Sequence, residues 1–163
     1  MEFPKRKPNR LQGYDYAANG GYFITICTKD RQNLFWDDVG AAISRPQDAP
    51  ALSPHGVIVN RAVLAISQHY PRIEVLKYCI MPNHVHLILL LCAEENGRLI
   101  AAPTISTVIG QMKRIVSKEA GASLWQKSFH DRIIRNEMEY QKIWNYIDTN
   151  PMKWKEDCFY QEH

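Results

Sequence analysis

Two histidines one residue apart, His84 and His86, stand inside "YCIMPNHVHLILLL" (residues 78–91), a stretch otherwise suited to the middle of a sheet. Strand side chains alternate, so the pair shares a face with Ile88 and Leu90, while Val85, Leu87, Leu89 and Leu91 take the other. Both faces are apolar beyond the histidines, so the strand should be covered, and an unpartnered imidazole there would cost about 1–3 kcal/mol per polar group. Two imidazoles on one face can share a cation if a third ligand comes from elsewhere; neutral imidazole suits manganese, iron, zinc or copper. The plainer alternative is a pair of core histidines bonded to backbone carbonyls. His55, His69, His130 and His163 are isolated and read as surface or packing residues.

A third ligand and a nucleophile can come from "NEMEYQKIWNYIDTNP". On a helix, Tyr140, Ile143, Trp144 and Ile147 fall at i, i+3, i+4 and i+7 and make the apolar stripe that docks on the core. Tyr146 then lies on a flank, roughly 110° from the centre of that stripe, with Asn150 beside it. A phenol next to a cation-bound phosphate can attack it and form a covalent intermediate, splitting one difficult displacement into two steps. Asn150 offers a neutral oxygen suited to magnesium or manganese. The same spacing also fits ordinary amphipathic packing.

The elements that would position these groups follow from local signals. "YFITICTK" (22–29) reads as a first strand. Ser53 as N-cap, Pro54 at the first helical position and the stripe Val59, Ala62, Val63, Ile66 and Tyr70 predict a helix that Pro71 ends. Residues 73–80 and 84–92 predict a hairpin around Met81, Pro82 and Asn83. Thr104 caps a second helix with the stripe Ile105, Val108, Ile109, Met112 and Val116, stopped by Gly121. Residues 124–134 read as a fourth strand, and Asn136 with Glu139 opens a third helix closed by Pro151. The order predicts an α+β, ferredoxin-like or RRM-like split βαβ antiparallel sheet with helices on one face and an extra C-terminal helix, leaving the other face as a working surface.

Residues 1–163 are expected to form a single domain with a basic arm at 1–20. With 45% apolar and 23% charged residues and no apolar run near 18 residues, the chain reads as a soluble, cytosolic protein without a membrane span. The four cysteines lack CxxC spacing and are expected to be free thiols. A net charge of +3 does not diagnose a nucleic-acid binder. Its distribution offers two groups of phosphate-binding candidates: Lys5, Arg6, Lys7 and Arg10 in the arm, then Lys113, Arg114, Lys118, Lys127, Arg132 and Arg135. Trp125 is a candidate for stacking bases, or simply a core residue.

"MPNHVHLILL", "LWQKSFHDRIIRN" and "YIDTNPMKW", with "RLQGYDY" and "GGYFITICTKDRQNLF" nearer the N-terminus, resemble the REP-associated tyrosine transposases, a branch of the single-tyrosine HUH transposases, over nearly the whole chain. The resemblance implies a divalent metal, Mg2+ or Mn2+, held by His84, His86 and Asn150, where better-known relatives have glutamine, one methylene longer. It implies Tyr146 as the nucleophile that nicks and rejoins single-stranded DNA, often hairpins of repetitive extragenic elements, through a 5′-phosphotyrosine. Arg132 stands where many members have histidine. Whether the protein works as a monomer or as a homodimer sharing its helices stays open. The rival reading is a non-catalytic or domesticated nucleic-acid-binding protein that recognises hairpins through its sheet face.

Overall fold

The computed structural model describes residues 20–40, 50–92 and 103–161. The arm residues Lys5, Arg6, Lys7 and Arg10 therefore lie outside the described residues, as does His163. Four strands, β1 (Gly20–Cys27), β2 (Ile73–Ile80), β3 (His84–Leu91) and β4 (His130–Ile134), form one antiparallel sheet in the order β2-β3-β1-β4. Helices α1 (Pro54–His69) and α2 (Ile105–Ala120) occupy the two crossovers, and α3 (Glu137–Thr149) follows β4 and runs into a 3-10 segment, Asn150–Glu156. This is the expected split βαβ arrangement.

The caps sit where side-chain chemistry puts them. Ser53 Oγ accepts from Gly56 N, Thr104 Oγ1 from Thr107 N, and Asn136 Oδ1 from Glu139 N, each satisfying an orphan donor of a first turn. Gly121 ends α2 in the left-handed conformation at φ 68°. At the start of α1, a Cβ on Gly56 would stand 2.2 Å from the Phe35 carbonyl oxygen, so the helix docks closely on the chain that leaves β1.

Strand alternation divides the interior in two. Tyr22, Ile24, Ile26, Val85, Leu87, Leu89 and Leu91 meet Val59, Val63 and Ile66 of α1 and Val108, Ile109, Met112 and Val116 of α2 in the main core. Ile88 on the other face packs with Ile143 and Ile147 of α3, flanked by Phe23, Leu76, Tyr140 and Trp144. The second face is therefore not left open as expected: α3 lies on it.

Two local expectations change. The fourth strand spans His130–Ile134 rather than 124–134; Leu124 and Trp125 instead turn inward, with one isolated bridge from Trp125 to Thr28. Phe35 and Trp36, in a stretch with no readable period, are buried core residues. The four cysteines are free, and only Cys27 is fully buried.

Candidate active site

His84 opens β3 and His86 follows on the same face, both buried at 0% and 1% exposure. Their Nε2 atoms are 3.0 Å apart. The neighbouring residue fixes the first ring. Asn83 Nδ2 donates to the carbonyls of Phe159 (2.8 Å) and Arg31 (3.3 Å), so its Oδ1 is the atom that faces His84 Nδ1 at 2.8 Å. An amide oxygen only accepts, hence Nδ1 carries the hydrogen and His84 Nε2 is a bare lone pair. His86 Nδ1 meets Thr25 Oγ1 at 2.8 Å, and a hydroxyl can donate or accept. His86 can therefore place its own hydrogen toward His84 or leave Nε2 bare for a cation.

The C-terminal segment brings a carboxylate to the pair. Asp157 ends the 3-10 segment; its Oδ1 accepts from Phe159 N (2.7 Å), which aims Oδ2 inward, 3.8 Å from His84 Nε2. His84, His86 and Asp157 offer three ligand atoms within 4.8 Å of one another. A cation with ligands at about 2.1 Å and right angles has ligand edges of about 3.0 Å, so the imidazole pair fits that geometry and the carboxylate needs only a small approach. Burial lowers both histidines, His84 to about 3 with Arg31 adding to the effect, and His86 well below its ordinary value, with the neighbouring His84 adding to it. Both are thus neutral at physiological pH, the state in which imidazole ligates.

Tyr146 stands over the trio. Its hydroxyl lies 3.3 Å from His86 Nε2 and 3.4 Å from Asp157 Oδ2, and its ring meets that of His86 edge-on at 5.2 Å. Burial, then the Asp157 carboxylate, pushes its phenol far above the ordinary range, so it holds its proton until a base takes it. The residue is nonetheless 40% exposed, facing a cleft of about 590 Å³. Asn150 lines the same cleft; its side chain is buried and Nδ2 has no hydrogen-bond partner. Phe159 and Trp154 cover His84 at ring distances of 4.6 and 6.0 Å, and Phe23 covers His86 at 5.2 Å.

Of the residues singled out by sequence, His86 touches both His84 and Tyr146, and Asn150 borders the same cleft. The candidate DNA contacts divide. Trp125 is buried against Phe35 in the main core, so its ring is not a platform for bases. The Lys113 amine is tied to the carbonyls of Gln126 and Ser128, and Arg132 is paired with Glu139. Arg114, Lys118, Lys127 and Arg135 are exposed, with Lys113, Arg114 and Lys118 on α2, across the sheet from the histidines. Sequence reasoning missed Asp157, Asn83 and Thr25. Asp157 sits in a segment without helical or strand period, and only its acidity eleven residues past Tyr146 hints at a role.

No protein-family model matches the chain. It is 29% identical to an uncharacterized protein of Haemophilus influenzae, over 95% of this chain and 93% of that protein. It is 26% identical to another Haemophilus influenzae protein, proposed to be a REP-associated tyrosine transposase, over 85% of this chain and 74% of the relative. Its fold matches the solved structure of a REP-associated tyrosine transposase bound to a REP hairpin with a TM-score of 0.60, at 20% identity, over 89% of this chain and 74% of that one. In fold, and by distant sequence likeness, the chain resembles the REP-associated tyrosine transposases.

Proposed function

We propose that the protein is a metal-dependent transposase of the REP-associated tyrosine kind, nicking and rejoining single-stranded or hairpin DNA through a phosphotyrosine intermediate. The observation that carries this is the Tyr146 hydroxyl, set between His86 Nε2 and Asp157 Oδ2 at the mouth of an open cleft. The hairpin-bound structure of similar fold supports DNA as the substrate.

His84, His86 and Asp157 would hold the cation, with Asn150 adding a neutral oxygen from the cleft wall. A divalent ion such as Mg2+ or Mn2+ supplies electrostatic stabilisation to the phosphoryl oxygens as charge develops. The chain's own groups do the rest. Tyr146 Oη attacks the scissile phosphorus, and its phenolic proton passes to water in the open cleft. The new P–O bond to tyrosine forms as the bond to the 3′ oxygen breaks, and that oxygen takes a proton from water, which leaves a 5′-phosphotyrosine and a free 3′-hydroxyl. One phosphoester replaces another, so attack by a new 3′-hydroxyl reverses the link without an external energy source. The raised phenol pKa keeps Tyr146 protonated and unreactive until substrate and cation are in place.

The test is incubation with a labelled single-stranded hairpin from the flanking genomic DNA, with Mg2+ or Mn2+, followed by denaturing electrophoresis. A metal-dependent protein–DNA adduct that forms with Tyr140→Phe and vanishes with Tyr146→Phe is expected. Tight binding with no adduct would replace this reading by a non-catalytic hairpin-binding protein.

A further inference from the structure

The wall of the cleft opposite the apolar side of α3 has a regular composition. Lys142, Asn145, Tyr146, Thr149, Asn150 and Lys153 fall at i, i+3, i+4, i+7, i+8 and i+11, and all six line the cleft. Helical spacing keeps Lys142, Asn145, Tyr146 and Thr149 on one face of α3, while Asn150 and Lys153 belong to the 3-10 segment, whose backbone kinks at Lys153, and join the row because they line the same cleft. No member of this row other than Tyr146 and Asn150 has a part in the chemistry above. Tyr146 sits near its middle, with a lysine toward each end.

Both lysines are exposed, and the structure gives neither an ion pair among the described residues. This sets them apart from Lys77 of β2, which is paired with Asp148 and lies 4.7 Å from the Trp144 ring centroid. Seven steps along α3 at about 1.5 Å and four along the 3-10 segment at about 2.0 Å put the lysines roughly 18 Å apart along the chain. At about 3.4 Å per nucleotide of a stacked strand that is a few phosphates, and fewer along a stretched strand. Asn145 and Thr149 between them offer an amide and a hydroxyl, groups that bond phosphate oxygens without reading a base.

We infer that this face of α3 and the 3-10 segment is a backbone track for single-stranded DNA, with Lys142 and Lys153 gripping phosphates on opposite sides of the one presented to Tyr146. The inference rests on the proposed activity for its choice of DNA, but the track binds whether or not Tyr146 reacts. A track of this kind fixes register through charge and carries no sequence information. Glu156, on the same cleft, acts against it: its carboxylate repels the strand.

The measurement is fluorescence anisotropy of the full chain with a labelled single-stranded oligonucleotide, without metal, over a series of salt concentrations. Each phosphate neutralised on a single strand contributes about 0.7 to the slope of log affinity against log salt. Lys142→Gln and Lys153→Gln are each expected to reduce that slope by about 0.7, for any oligonucleotide sequence, while Arg61→Gln on α1, an exposed cation paired with Glu119, leaves it unchanged. Glu156→Gln is expected to tighten binding. Unchanged slopes in both cleft variants, or an equal loss in Arg61→Gln, would overturn the track. Reduced slopes in a protein that never forms an adduct would uphold the track and reject the chemistry.

Discussion

Asn83 has no chemistry of its own, yet three parts of the site depend on its amide. One group holds the His84 ring, the turn at Arg31 and the segment that carries Asp157 and Phe159. Residues that orient a metal-binding imidazole typically change metal affinity about 10- to 100-fold when removed. Asn83→Ala is expected to weaken Mn2+ binding in that range by calorimetric titration. Asn83→Asp, which keeps an acceptor for His84 but loses the two donated bonds, should fall between Asn83→Ala and the wild type. Equal Mn2+ affinity in all three would show that the ring is held by packing alone. The histidines were legible because polar residues interrupt an apolar strand. Asn83 was legible only as a turn residue, since nothing local says which carbonyls its amide reaches; those come from residues 52 and 76 positions away.

The helices were readable because their signals are local. Ser53, Thr104, Asn136 and Gly121 are caps whose partners lie within a few residues, and the stripes of α1 and α2 repeat often enough to fix a face. β4 was less so: Leu124 and Trp125 carry the composition of a strand but are drawn into the core beside Phe35, a tertiary preference that overrides the local one. The open working face was misjudged for a similar reason, because the docking of α3 depends on Ile88 meeting Ile143 and Ile147 rather than on any single segment. Two glycines give opposite tests of these elements. Gly121→Ala places a side chain in open space at φ 68° and should cost about 1 kcal/mol in urea denaturation. Gly56→Ala forces its Cβ onto the Phe35 carbonyl and should cost clearly more, and a smaller loss than at Gly121 would mean the α1 contact is slack.

Across the whole molecule, the buried histidines make stability depend on pH in a defined direction. Their protonation is depressed in the folded state, so the unfolded chain binds more protons once pH drops below the ordinary imidazole value of about 6.5. The metal-free protein should therefore hold its full stability from these groups above that value and lose it progressively as pH falls toward about 3. Melting curves between pH 7 and 4 check this, and a His84→Gln, His86→Gln double variant should show a shallower decline. A saturating divalent ion should raise the melting temperature of the wild type and leave the double variant unmoved, about 2.7 kcal/mol at a hundredfold excess over Kd. No helix among the described residues is long and apolar enough to cross a membrane.

The cluster draws on residues far apart along the chain, and a ribosome delivers them in order. His86 precedes Tyr146 by 60 residues, and Asp157 comes 11 later. At about 5–20 residues per second, the imidazoles leave the ribosome roughly 3 to 12 s before the phenol that would use them. During that interval the nascent chain presents the histidine strand with neither its nucleophile nor its carboxylate. On the proposed chemistry, a growing polypeptide could not yet act on a strand beside it, and the site would be complete only with the segment that follows α3.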